Sequence, residues 1–459
     1  MPQNSGTLWQ VLARHHRLET RHLHGLGAGV CLASLADATC FDTPVHALQG
    51  CSVLLACRDQ LAAALALIEL DGVARRIVLV PPDIAPAQLP ALALTAATDA
   101  FVSDGTFGEG PAGSAISVSA RRQLTPAAPR RDAASETEWV LLTSGTTGEP
   151  KLVLYTRAIL SGAITVPPPE ALSPVWSTFY DIRRYGGLQI FLRALLGGGS
   201  LVLTEAGEPV GAFLARAGGC GVTHISGTPS HWRRAMMSGA ATRMAPGYVR
   251  LSGEIADQTI LDALARTYPN ARIAHAFAST EAGVGFDVGD GRAGFPADLL
   301  VKPHAGVEMK IVDGTLRIRS PRTAIAYLGI DAAPLKDAEG FVDTGDMIVR
   351  ENGRCVFAGR KGGVINVGGA KVFPEEVEAV LNRHPAIEVS RVMARKSAFT
   401  GALVVAEVVV RTGMADATTL ETEILEWCRE ALPPHKVPAL LKFVPMLDVS
   451  PSGKLVRRP

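Results

Sequence analysis

Trp139-Val140-Leu141-Leu142-Thr143-Ser144-Gly145-Thr146-Thr147-Gly148-Glu149-Pro150-Lys151 is the stretch from which the rest of this 459-residue chain can be read. Its first four residues are apolar and β-prone, so they predict a buried strand that delivers the following loop to one edge of a sheet. Two glycines allow a tight turn that gathers backbone N–H groups on one side, four hydroxyls add donors, and Lys151 adds a positive charge. Such a loop suits a polyphosphate, because fixed donors and a cation replace the water that the anion gives up. The bland alternative is a surface turn rich in Gly, Ser and Thr. A GxxxxGK[ST] loop is excluded: the spacing from Gly145 to Gly148 is too short, and Pro150-Lys151 stands where Gly-Lys-Ser/Thr belongs.

Upstream, Ser52–Ala56 reads as a strand, Gln60–Leu70 as an Ala/Leu-rich helix and residues 76–80 as the next strand. Strand, helix and strand at this spacing predict a parallel α/β layer. Residues 121–131 carry four arginines and two prolines without apolar periodicity, and read as a solvated linker. Downstream, 200–203, 222–225 and 271–277 read as buried strands and 231–237 as a helix. After about Pro296 the texture changes to short β segments. Thr315–Arg319 alternates, and Glu351-Asn352-Gly353 turns a hairpin between strands at 347–349 and 355–357, which predicts a small β-subdomain ending near Gly359. The last hundred or so residues hold a helix at 374–383, strands at 403–410 and a helix at 419–431, and read as a separate small domain.

Further motifs follow the loop in order. Phe277-Ala278-Ser279-Thr280-Glu281 offers an aromatic ring for a base, a hydroxyl, and a carboxylate of the kind Mg²⁺ prefers. Thr344-Gly345-Asp346 precedes Gly359-Arg360, and residues 361–378 contain Gly368-Gly369-Ala370-Lys371. Pro451-Ser452-Gly453-Lys454 stands near the end. Each alone has an ordinary reading as strand end, turn or basic tail. Together they resemble the adenylate-forming superfamily, which contains acyl-CoA synthetases, peptide-synthetase adenylation domains and luciferases.

The resemblance implies a large N-terminal domain of layered α/β subdomains plus a β-rich subdomain, 1–361, and a small mobile α+β C-terminal domain, 362–459. It implies that Thr143, Ser144, Gly145, Thr146, Thr147, Gly148 and Lys151 hold phosphates, and that Phe277, Asp346 and Arg360 hold the nucleoside of ATP. Thr280 and Glu281 would complete the site, Glu281 with Mg²⁺, while Lys454 drives adenylation. Gly362 aligns with the hinge, where relatives commonly carry Asp or Lys, and Ala278 replaces the usual glycine. Two half-reactions are implied. A small-molecule carboxylic acid displaces pyrophosphate from ATP to give an acyl-adenylate, and a pantetheine thiol, that of coenzyme A before others, then displaces AMP. Alternatives are an acyl-AMP ligase loading a free-standing acyl carrier protein through its phosphopantetheine, transfer to an amine, or a non-catalytic nucleotide-binding protein.

The acyl pocket departs most from relatives. Where many have His-x-x-Gly-Leu, this chain has Arg184-Tyr185-Gly186-Gly187-Leu188, preceded by Asp181 and Arg183. Arg184 or Tyr185 would favour a polar acid or one with a second carboxylate, unless the cluster is an ion-pair network at a helix start. His224, Ser226, Thr228 and Ser230 face the same pocket or serve as core and capping residues. Tyr180-Asp181 is not followed by a signature for anchoring a substrate ammonium group.

Forty-five Lys and Arg against 44 Asp and Glu leave a net charge of +1, which argues against a nucleic-acid partner. No apolar run reaches membrane-spanning length and the start lacks a secretion signal, so a cytoplasmic location is expected. The seven cysteines show no CxxC spacing and read as thiols, without metal or nucleophilic roles. The chain ends five residues after Lys454, so no fused carrier domain is expected.

Overall fold

The computed structural model describes residues 6–14, 17–128, 136–144, 150–165, 173–329, 334–397, 401–411, 417–450 and 452–456. Two eight-stranded sheets and a five-stranded sheet make up the large N-terminal part. One eight-stranded sheet carries Glu138–Ser144, Arg76–Leu79, Ser52–Ala56 and Ala100–Ser103 in parallel, and beyond Glu138–Ser144 it continues through the antiparallel Pro150–Thr156 to the edge strand Ala326–Leu328. The other carries Val175–Thr178, His224–Gly227, Tyr248–Ser252 and Arg272–Ser279 in parallel, with Gly283–Val288 returning antiparallel at its edge.

The helix Gln60–Leu70 explains how the two sheets meet. Every one of its residues is buried, as expected for a helix apolar all round. Its one acid, Glu69, is buried but accepts from the Thr39 hydroxyl at 2.8 Å and the Cys40 N–H at 2.7 Å. The core formed with it includes Trp139, Tyr155, Leu188 and Phe191 from both layers. Because parallel strands end on the same side, the loops after Thr178, Gly227, Ser252 and Ser279 gather at one sheet edge, where open α/β sheets place their ligands.

The β-rich subdomain orders Phe295–Pro296, Arg354–Arg360, Val342–Glu351, Thr315–Arg319 and Glu308–Val312 in one antiparallel sheet. Asn352 (φ 47°) and Gly353 (φ 76°) both take left-handed backbone at the hairpin turn between its two longest strands. Beyond it, a two-stranded and a three-stranded sheet pack with Pro374–Leu381 and Ala417–Ala431 around a core of their own that includes Ile365, Val377, Ile424 and Leu441.

One expectation is corrected. Residues 121–126 are not linker but the second half of the strand Ile116–Pro126, which pairs antiparallel with Ala38–Phe41. An exposed Arg121, a half-buried Arg122 and a proline at the end are compatible with a strand next to a sheet edge. Arg122 binds Asp59 at 2.6 Å, so it is ion-paired rather than simply solvated. Residues 127–128 follow the strand, and 129–131 lie outside the described residues. Among the described residues no helix is long and apolar enough to cross a membrane.

Candidate active site

Glu138–Ser144 and Pro150–Thr156 pair in register, Thr143 with Lys151 and Ser144 with Pro150. Thr143 and Lys151 therefore stand opposite each other where the two strands flank the candidate phosphate loop. Gly145, Thr146, Thr147 and Gly148 lie outside the described residues, as does the Ser144 side chain. Lys151 is exposed, and its ammonium lies 5.0 Å from the centre of the Tyr327 ring.

Tyr327 leads to the next motif, since its hydroxyl donates to Glu281 Oε1 at 3.4 Å. The backbone there is fixed from two sides: Thr280 O accepts from the buried Tyr155 hydroxyl at 2.6 Å, and Glu281 O accepts from Ala324 N at 3.0 Å. Gly283, at φ 74°, has no room for a side chain, because a Cβ would strike the Arg322 carbonyl. Glu281 thus presents a carboxylate from a rigid turn, beside Lys151 and Tyr327. Phe277 is half-buried in an aromatic cluster, near-parallel to Phe357 with centroids 5.6 Å apart and to Phe286 at 5.8 Å.

Asp346 and Arg360 are cross-strand partners in the long hairpin. Arg360 Nε lies 3.3 Å from Asp346 Oδ1, and its NH2 donates to Thr344 O at 2.6 Å. Burial raises the Asp346 pKa above the usual carboxylate range, while Arg360, the Thr344 hydroxyl and Lys454 oppose the rise.

Lys454 arrives from the small domain. Water reaches its side chain, but protein encloses it on several sides: its Cε lies 3.6 Å from the point where a Cβ on Gly253 would sit. Enclosure lowers the ammonium pKa below its ordinary value and the Arg360 charge adds to this, against the pull of Glu254, Asp346 and Glu281. Lys454, Asp346, Arg360 and Glu281 thus meet in one cleft. The described residues contain no cluster of three or more His, Cys, Asp or Glu able to hold a metal ion. A divalent cation at Glu281 would therefore draw most of its oxygen ligands from bound phosphates and water, as Mg²⁺ commonly does.

The acyl-pocket candidates separate. Arg184 is ion-paired with Asp83, and the buried Arg183 with Asp181. The ion-pair reading of this turn therefore describes it, with Arg183 inside the protein instead of on its surface. Tyr185 is buried against Tyr155, with the charges of Arg193, Arg250 and Arg322 nearby, and burial raises its pKa. His224 packs at a tilt against Trp176 (4.7 Å between ring centroids) and Tyr248 (5.5 Å) at the start of its strand. That is three residues before Gly227, about 10 Å from the sheet edge where the other groups gather. Thr228 caps the helix Pro229–Met237 through the His231 N–H at 3.0 Å.

Sequence reasoning passed over Glu254, His231 and the buried arginines near Tyr185. Arg193 and Arg250 each keep a buried Nε without a hydrogen-bond partner. Gly253-Glu254 lies at the end of a buried strand, and that position was the available signal.

Two family models match the chain: AMP-binding enzyme over residues 48–324, and AMP-binding enzyme C-terminal domain over residues 376–454. The chain belongs to the AMP-binding enzyme family. Among its relatives, CymA of Salinispora arenicola, a probable non-canonical nonribosomal peptide synthetase, is 27% identical over 349 residues, 70% of this chain but 4% of that protein. A probable CoA ligase of Humulus lupulus is 33% identical over 162 residues, 34% of this chain and 29% of its own length. The 2-succinylbenzoate–CoA ligase of Bacillus cytotoxicus is 25% identical over 344 residues, 71% of this chain and 69% of that enzyme. A benzoate CoA ligase structure from Burkholderia xenovorans shares the fold with a TM-score of 0.79 at 19% identity, covering 98% of each chain. The chain thus spans less than a third of the length of the first two of these relatives and about two thirds of the third.

Proposed function

We propose that this chain activates a carboxylic acid with ATP and passes the acyl group to coenzyme A. The observation that carries this reading is Lys454, which the small domain holds in the same cleft as Asp346, Arg360 and Glu281. A binding protein would need the nucleotide groups but not a cation from a second domain.

In the first half-reaction a carboxylate oxygen attacks the α-phosphorus of ATP, and the bond to the bridging oxygen of pyrophosphate breaks. Asp346 would accept from the ribose hydroxyls, with Arg360 and Phe277 on the nucleoside. Thr143, Ser144, Gly145, Thr146, Thr147, Gly148 and Lys151 would hold the leaving phosphates, and Thr280 would add a hydroxyl. Lys454 would neutralise the charge that grows where acid and α-phosphate meet, a kind of stabilisation strongest where water is excluded. Magnesium fits the Glu281 carboxylate and would supply neutralising charge on the leaving pyrophosphate.

In the second half-reaction a thiol sulfur attacks the acyl carbonyl, loses its proton, and AMP departs with the bonding electrons. The small domain, whose boundary we place after residue 361, would rotate about Gly362. That residue lies in the exposed turn Lys361–Gly363 with nothing within 4 Å of its Cβ position, so rotation meets no side-chain obstacle there. The segment around Lys371 would then line the pantetheine path. The arginines near Tyr185 favour an acid with a second polar or anionic group, and a relative acts on 2-succinylbenzoate.

The test is pyrophosphate release from Mg·ATP across short, long, aromatic and dicarboxylic acids, with and without coenzyme A. Acid-dependent release with acyl-CoA appearing supports the reading. Release without thioester would redirect it to a carrier protein or an amine, and no release despite ATP binding would overturn it.

A further inference from the structure

The Lys454 loop does not merely lie against the large domain; the two residues that flank the lysine, Gly453 and Leu455, are both gripped. Gly453 O accepts from the Thr228 hydroxyl at 2.6 Å. Leu455 N–H donates to Glu254 Oε1 at 3.0 Å, while the other oxygen of that carboxylate accepts from Ser230 N–H at 2.9 Å. One carboxylate therefore ties the small domain's loop to the start of the helix Pro229–Met237.

Gly453 itself rests on the His231 ring, and a Cβ there would run into the imidazole. That ring is held in place: it stacks on Phe179 at 5.3 Å and meets Tyr180 edge-on at 5.6 Å, and its Nδ1 accepts from Thr228 N–H at 3.1 Å. An imidazole accepting at Nδ1 with its other face packed is neutral, in keeping with burial that pushes its pKa down to about 3. On the other side the loop is preorganised within its own domain. Ser450 N donates to Lys454 O at 2.7 Å, Lys454 N to Ser450 Oγ at 3.2 Å, and Arg391 to Val456 O at 2.7 Å.

We infer that Thr228, His231 and Glu254 form a latch that holds the small domain in the arrangement competent for adenylation, so that they are positioning residues for the first half-reaction and dispensable for the second. All three hold backbone or the bare glycine and none holds the lysine side chain. The latch thus fixes where the Lys454 ammonium sits and leaves that group free to meet the reacting oxygens. Each contact crosses between domains, so all must part together if the small domain rotates. Glu254 matters most: a charged acceptor shared by two N–H groups is stronger than a neutral one, and it also lies close enough to support the Lys454 charge. This inference rests on the ligase reading for its kinetic consequence but not for the contact itself.

Two readouts keep these apart. Amide hydrogen exchange on the full chain, with and without ATP, follows the peptide containing Leu455. Half-reaction kinetics compare acid-dependent ATP–pyrophosphate exchange with thioester formation from a preformed acyl-adenylate. Glu254→Ala should deprotect that peptide and lower pyrophosphate exchange about tenfold or more, with thioester formation from the adenylate within about twofold of the parent. Gly453→Ala, which places a methyl against His231, should act in the same direction without altering any charge. Unchanged protection of the Leu455 peptide in Glu254→Ala would overturn the latch. Equal loss in both half-reactions would also overturn it, since it would mark a general structural role. Glu254-dependent protection in a parent protein that activates no acid would sink the ligase reading and leave the latch as a domain contact.

Discussion

On the nucleotide side of the cleft, Asp346 and Arg360 face each other across a single hairpin. On its closing side, Gly453 and Leu455 reach Thr228 and Glu254 across 225 and 201 residues of chain. The first pair is assembled whenever the β-rich subdomain is folded. The second exists only while the small domain is docked. On the proposed reading, a cleft built this way would keep its grip on a nucleotide while Lys454 comes and goes, as a two-step reaction in one site requires.

The strongest way to break this comparison is to remove the group that the closing side delivers. Lys454→Ala should cut acid-dependent pyrophosphate exchange by about a hundred- to a thousandfold, the usual scale for one charge-stabilising donor, with ATP affinity nearly unchanged by calorimetry. Asp346→Ala strikes the other side. It should raise the KM for ATP about tenfold, through loss of a charged acceptor, and leave protection of the Leu455 amide intact by hydrogen exchange.

A pH profile sharpens the comparison further. The enclosed Lys454 loses its proton below its ordinary value of 10.5, and only the protonated form can neutralise developing charge. Adenylation should therefore fall as pH rises, with a midpoint below that value, while ATP binding through Asp346 should show no such fall. Glu254 supports the lysine charge, so Glu254→Gln should move the midpoint lower still. The smallest effect belongs to Arg184→Ala. Its guanidinium is committed to Asp83 in a partly exposed pair, so acid preference should stay the same and thermal stability should change by no more than about 1 kcal/mol.

How much of this was legible in the sequence follows the same division. Gln60–Leu70 and Thr315–Arg319 were readable to the residue because their signals are local: an Ala/Leu-rich run, and strict alternation. The order of the loop, the Thr280-Glu281 pair, Asp346 and Lys454 was also readable, because each motif needs its residues close in sequence. The strand through 121–126 was not, since it is decided by a partner near Thr39 that no local pattern announces. Thr228 read equally as cap or pocket and proves to be a cap that also reaches another domain. Glu254 carried no visible role, because both amides that define it belong to other segments. Arg184 stood out by its place in the segment where many relatives have His-x-x-Gly-Leu, and its ion partner Asp83, about a hundred positions earlier, is announced by no local pattern.

The account's central claim is that the docked small domain serves adenylation, with Lys454 as its working group. The most direct measurement gives Lys454→Ala both half-reactions separately: ATP and acid with pyrophosphate exchange as the readout, then preformed acyl-adenylate and coenzyme A with thioester as the readout. The account predicts that the first is lost and the second retained. Retention of pyrophosphate exchange at the parent rate would contradict it.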